Sequence, residues 1–264
     1  MALIKNGSPK NQKYRSLVFL VRQGRAAVLH GRQLHAHAQP DQSVPQFAGK
    51  TRLGRYSDSV VEMDSNVGRI MHEIRADAPN TIVIFTADNG AWQDAWPDAG
   101  THPFRGEKGS PFEAGWRVPG LMWWPGHIPA GAQYGEMMSH IDCWSTLAAM
   151  VGITPPHGAW VGNDGKPIYF DSINNSDYIL GKAKHSTRRS WVYINGENFG
   201  AVRADIGDDP DNPDVNIAWK YMFTAKDTWL GPTLNLGGIG ALYNLTMDPY
   251  EKYDMVFNGV SVIC

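Results

Sequence analysis

Cysteine is scarce in this chain of 264 residues: there are two, Cys143 and the terminal Cys264, too few to build a disulfide framework. No run of about eighteen apolar residues occurs, so no segment has the character of a membrane-spanning helix. The opening MALIKNGSPKNQKYRS lacks an apolar signal core, and no secretory address is expected from it. Neither sign of charge dominates. A formal net charge of −2 leaves no electrostatic footprint for nucleic acid or an anionic membrane surface, so neither is expected as a partner. Internal repeats are also missing. Apolar and aromatic residues are abundant instead: 42% of the chain is hydrophobic, ordinary for a chain that folds around a core. Of its ten Trp, Trp92, Trp96, Trp116, Trp123 and Trp124 crowd one stretch. Core and domain packing accounts for most of them, although such aromatic walls can also hold an aryl or sugar ring.

That stretch is Thr81–Pro125, TIVIFTADNGAWQDAWPDAGTHPFRGEKGSPFEAGWRVPGLMWWP. The β-branched and aromatic run Thr81 to Thr86 predicts a buried strand. It stops at Asp88-Asn89-Gly90, and the carboxyl ends of strands in open α/β sheets are where ligands bind. Asp88 and Asn89 can offer hard oxygen ligands to a divalent cation such as calcium. By spacing alone, Asp-Asn-Gly reads more readily as a strand-ending turn than as a ligand pair. The loop beyond carries Arg105, Lys108 and Arg117, cations suited to an oxyanion, although a lysine in a Gly-rich loop is ordinarily a solvated charge. Metal ligands beside an anion clamp suggest chemistry on a sulfate or phosphate ester.

These residues also resemble a family. D-N-G, then PFRGEKG, then E-x-G-x-R-V-P at Glu113–Pro119 and WWPG-x-I-P-A-G at Trp123–Gly131, followed by SHIDCWSTLAAMVG at Ser139–Gly152 and GALYNLTMDPYEKYDM at Gly240–Met255, resemble the second half of a sulfatase. The likeness runs in consistent order from about Phe47 to Met255. It implies an alkaline-phosphatase-like α/β sandwich, partial here, with a smaller carboxyl-terminal antiparallel-sheet subdomain. It also implies hydrolysis of sulfate esters of the arylsulfatase kind by the complete enzyme, acting on a sulfated small molecule or glycan. Asp88 and Asn89 then become calcium ligands, and Lys108 becomes the lysine that contacts the sulfate oxygens. Arg105, Glu113 and Arg117 are expected to hold the loop. The family's histidine, which helps protonate the leaving alcohol, is assigned to His35, with His37 next and His30 also ahead of Phe47-Ala48-Gly49-Lys50; exposed loop histidines are the alternative reading. His140 is expected to orient its helix.

The family's nucleophile, a formylglycine made from a C/S-x-P-x-R motif, has no counterpart: neither cysteine, nor any serine, is followed by x-P-x-R. Cys143 lies in an apolar stretch and reads as a small buried hydrophobe. The family's first pair of calcium-binding Asp residues is missing too, so the calcium site is expected to be incomplete and to bind weakly, and the sequence resembles a carboxyl-terminal portion. Two alternatives accompany this reading. One is a non-catalytic remnant or binding subunit; the other is a phosphoester or phosphonate hydrolase.

Elsewhere, Ser16–Val21 reads as a strand. Val60, Met63, Val67, Ile70, Met71 and Ile74 recur at helical spacing, with Asp58 expected in solvent. Val118–Trp124 reads as a strand and Asp142–Val151 as a helix capped by Asp142. Past Gly152 a Pro- and Gly-rich passage leads to short strands at Trp191–Ile194, Ala201–Arg203, Ile217–Thr224 and Ala241–Leu245, suggesting a small antiparallel sheet. The expected division is 1–155 for the partial sulfatase core and 156–264 for the loop-rich passage and subdomain.

Overall fold

The computed structural model describes residues 16–22, 28–34, 43–93, 103–155, 158–208 and 216–256. Strands β1 (Ser16–Arg22) and β2 (Val28–Leu34) lead into helix α1 (Arg55–Asp77) and strand β3 (Thr81–Ala87); helix α2 (Glu113–Trp116), strand β4 (Gly120–Trp123) and helix α3 (Asp142–Met150) follow. The remainder holds strands β5 (Gly158–Val161) and β6 (Pro167–Phe170), helix α4 (Ser176–Ile179), and strands β7 (Ser190–Asn195), β8 (Asn198–Asp208), β9 (Asn216–Met222), β10 (Thr224–Ala225), β11 (Leu234–Asn235) and β12 (Ala241–Asn244). Mixed helices with two four-stranded sheets, ordered β2-β1-β3-β4 and β12-β9-β8-β7, make this a partial α/β structure with an antiparallel carboxyl-terminal sheet. Every strand pair among the described residues is antiparallel.

β3 is the hub of the first sheet. Because side chains alternate across a strand, Val83 faces Ile74 of α1, with Ile70, Met71 and Trp123 around them. Ile82 and Ile84 face the other way, into Leu147 and Met150 of α3, Ile179 of α4 and Trp124. A strand covered on both faces needs a continuous apolar run, which TIVIF supplies. α1 stops at Asp77 because the backbone before Pro79 is pushed out of the helical region, and Ala78 adopts φ −147°, ψ 58°. The apolar stripe of α1 is covered mainly at its carboxyl end: Ile74 is buried while Val60 is 37% exposed.

Two expectations are corrected. Asp58 is buried, not solvated; its carboxylate accepts from the Gly49 and Thr51 amides and the Thr51 hydroxyl at 2.6, 2.9 and 2.8 Å, bracing the loop ahead of α1. Asp142 does not cap α3, whose N-cap residue is Ile141. It is buried and takes a two-pronged bond from Arg188, Nε to Oδ2 and Nη2 to Oδ1, both 2.6 Å, with the amides of Ser139 and Ile173 donating to the same oxygens. A helix-starting carboxylate therefore pins the chain that follows α3.

Candidate functional site

The site grows from the end of β3. Asp88 is exposed, and its Oδ1 accepts from the Asn89 amide at 3.1 Å. Asn89, half-buried, donates its side-chain Nδ2 to the Gly90 carbonyl at 3.0 Å. Gly90 is buried, its amide donating to the Gly115 carbonyl at 3.0 Å. A Cβ on Gly90 would lie 1.6 Å from the Ala114 carbonyl oxygen, so the glycine admits the backbone of α2. The turn and the candidate ligand pair are thus one feature: the turn presents Asp88 and Asn89 while its glycine receives the next loop.

That loop lies against the strand end. The Lys108 amide donates to the Ala91 carbonyl at 2.8 Å, placing Lys108 beside the residue that follows D-N-G. Its ammonium lies 4.4 Å from the ring centre of Trp229 and 6.0 Å from that of Trp92. Buried Glu107 accepts from the Gln93 amide at 2.6 Å. Arg105 bonds Asp227 at 2.9 Å and reaches the Tyr243 hydroxyl and the Glu251 carbonyl, while Arg117 lies over the Phe104 ring at 4.5 Å.

Behind the loop is a buried ionic cluster. Lys220, fully buried, sits 3.1 Å from Glu113 Oε1 and 2.9 Å from Glu251 Oε1. Glu113 also accepts from the Tyr193 hydroxyl at 2.7 Å and faces Arg203 at 3.4 Å; its own amide donates to Glu251 Oε2 at 2.7 Å. Burial pushes the Glu113 carboxyl up, but Lys220 and then Arg203 pull harder and hold it at about 2. For Glu251 burial wins, against Lys220 and with the help of Glu113, and its carboxyl is raised. The cluster fixes α2, and with it the Lys108 loop, to the carboxyl-terminal sheet, where Phe112 packs among Tyr193, Met222 and Tyr243. Arg105 and Glu113 find their partners in this sheet and the segments around it, which local sequence spacing could not disclose.

His35 and His37 lie outside the described residues; His30 lies on β2 opposite Leu20, its side chain also outside them. His140, expected only to orient its helix, brings Nε2 to 3.4 Å from the hydroxyl of Thr86, two positions before Asp88. Its motif gave no signal of that neighbour, since the approach is made by chain packing. Cys143 is half-buried, not fully buried as expected, and packs against the core that α3 helps to form; its thiol is raised to about 11, by burial first and Asp142 second, which suits a packing role and not a nucleophile. As for calcium, no group of three or more His, Cys, Asp or Glu among the described residues could hold a metal ion. Asp88 and Asn89 offer a few oxygens where calcium takes about six to eight, so the described residues do not form a complete site.

The model of the Sulfatase family matches residues 22–153, half of the chain and the whole of the strand end and loop just described. The chain belongs to the sulfatase family. Among curated relatives, N-acetylgalactosamine-6-sulfatase of Homo sapiens is 42% identical over 46% of this chain and 24% of its own length. N-acetylgalactosamine-6-O-sulfatase of Bacteroides thetaiotaomicron is 31% identical over 79% of this chain and 39% of its own. Of solved structures, the PsFucS1 sulfatase from Pseudoalteromonas sp. superposes with a TM-score of 0.67 at 28% identity, covering 83% of this chain and 42% of that one. The chain therefore spans less than half the length of these sulfatases. The Bacteroides match exceeds the extent of the family model, and the alkaline-phosphatase-like fold is that of the neighbours.

Proposed function

We propose that this chain is the anion-holding part of a sulfate-ester hydrolase, with Lys108 as the cation that contacts the sulfate oxygens. The observation carrying the reading is the hydrogen bond from the Lys108 amide to Ala91, which seats a family-type lysine beside D-N-G. A compact ammonium there attracts a sulfate and offsets negative charge developing on its oxygens. Asp88 and Asn89 would contribute oxygens to calcium in a complete enzyme, and His35 would protonate the leaving alcohol. The substrate class is a sulfated small molecule or glycan, in keeping with the names of the relatives. The core and the carboxyl-terminal part divide near residue 155.

A second reading, anion binding without turnover, is favoured by the lack of any C/S-x-P-x-R string in the 264 residues. Covalent catalysis needs its nucleophile, so the chain by itself should bind sulfate and turn over no aryl sulfate. Calorimetric titration with inorganic sulfate tests the assignment. Lys108→Ala removes a charge-assisted bond of about 1.5–3 kcal/mol, so affinity should fall about tenfold or more. Unchanged sulfate binding in that variant would remove Lys108 from the site. Robust aryl sulfate hydrolysis by the chain, abolished in Lys108→Ala, would show that a nucleophile is present after all.

A further inference from the structure

Three consecutive residues of the loop, Glu107-Lys108-Gly109, meet one residue from far along the chain, Trp229, the first at its backbone amide and the other two at its indole. Glu107, 1% exposed, accepts the Trp229 backbone amide on Oε1 at 2.6 Å while its other oxygen holds the Gln93 amide. The Lys108 ammonium lies over the Trp229 indole at 4.4 Å. Gly109, at φ +77°, leaves the room that the ring edge fills: a Cβ there would stand 2.5 Å from Trp229 Cδ1. Trp92, two residues past D-N-G, meets Trp229 edge to face with centroids 5.1 Å apart and planes at 81°. The Gly109 carbonyl also accepts from the side-chain amide of Asn195 at the end of β7. The carboxyl-terminal part of the chain thus grips the loop at the lysine itself.

We infer that Trp229 is a positioning residue for the Lys108 ammonium, so that the carboxyl-terminal part completes the anion site. The inference rests on the assignment of Lys108 to the sulfate. A lysine on its four-carbon stem carries about 2 kcal/mol of side-chain entropy, which an exposed ammonium must lose to meet an anion. A carboxylate partner would restrain it but cancel its charge. An indole face restrains it through its quadrupole and leaves the net charge in place. Among the described residues Lys108 pairs with no carboxylate, and the indoles of Trp229 and Trp92 stand where one would be. Both Lys108 and Trp229 retain solvent exposure, so an arriving anion has a route to the ammonium.

The test joins a spectroscopic reading to a binding one. Lysines of the chain are reductively methylated with 13C, which keeps their charge, and the Lys108 resonance is assigned by its loss in Lys108→Arg. In the parent chain that resonance should lie upfield, in the ring current of Trp229. Trp229→Leu should return it to the position of a free lysine and weaken binding of inorganic sulfate about fivefold, the effect of losing one exposed cation–π contact. Trp229→Phe, which keeps a ring in the loop, should retain part of both effects and serves if the leucine variant does not fold. A Lys108 resonance without upfield shift in the parent chain overturns the inference. So does a resonance that moves in Trp229→Leu while sulfate affinity is unchanged but still falls in Lys108→Ala; there the anion assignment survives alone. Sulfate binding indifferent to Lys108→Ala overturns both.

Discussion

Replacing Lys220 by Met removes the one ammonium that separates two buried carboxylates. Lys220 and Glu251 are fully buried and Glu113 is 3% exposed, with the ammonium 2.9 Å from one carboxylate and 3.1 Å from the other. Breaking a buried ion pair by deleting one partner costs about 3–5 kcal/mol, because the remaining charge stays desolvated. A second route gives a similar size. Holding Glu113 at about 2 instead of 4.5 corresponds to about 3 kcal/mol of preference for the ionised form, most of it from Lys220 and Arg203. Arg203 remains in the variant and Glu251 can take up a proton, so the expected loss is about 3 kcal/mol, the lower end of the range. Urea unfolding followed by tryptophan fluorescence should show the midpoint fall by about 1 M. The triple variant Glu113→Gln/Lys220→Met/Glu251→Gln, which leaves no buried charge unpaired at this place, should recover more than half of the loss. The pH dependence carries the sign. Glu113 has a depressed folded value, so its contribution is present above its unfolded value of 4.5 and is lost as pH falls toward about 2. Glu251 has a raised folded value, so its ionised form costs stability near neutral pH, and that cost fades as acid protonates it. In Lys220→Met the acid loss owed to Glu113 should flatten. A midpoint unchanged in the single variant, or a triple variant no better than the single one, would refute the reasoning.

Two further outcomes are expected. Gly90→Ala should destabilise the chain by about 1–3 kcal/mol in the same assay, since a Cβ collides with the Ala114 carbonyl as overpacking does; Gly68→Ala, in α1 with nothing near its Cβ, should instead stabilise by about 0.5–1 kcal/mol, and equal effects at the two positions would contradict the packing of α2 on the strand end. In a Cys264→Ser background, the half-buried thiol of Cys143, raised to about 11 by burial and Asp142, should react with an aromatic disulfide at pH 8 far more slowly in the native chain than once denaturant opens it; equal rates in the two states would contradict the packing of Cys143 against the α3 core.

The elements were readable where local chemistry is self-sufficient. TIVIF declared a strand covered on both sides, and the three- and four-residue spacing from Val60 to Ile74 declared a helix. The antiparallel strands beyond Gly152 announced themselves by alternation between turn residues, and β7, β8, β9 and β12 all formed where such stretches lay. Readings of single charged residues went astray where the partner was distant. Asp58 reads as solvated because it falls off the apolar stripe of its helix, yet a loop folds back to place the Gly49 and Thr51 amides on it. Asp142 stands at a helix start and reads as a cap, yet Arg188 claims both its oxygens. His140 gave no sign of Thr86 for the same reason.

By itself, then, the sequence determined the elements of the core and, through the ordered likeness of D-N-G, F-R-G-E-K-G and the later motifs, the sulfatase family. These depend on periodicity and on short strings that keep their spacing along the chain. Tertiary structure alone decided what surrounds the candidate lysine. The closure of Gly90 on Ala114, the Glu113–Lys220–Glu251 cluster and the indole of Trp229 over Lys108 each join residues far apart in sequence. A side chain's charge and shape are written locally, but its partner is chosen by the packing of sheets and loops, and only that packing turns an exposed-looking lysine into one held in place.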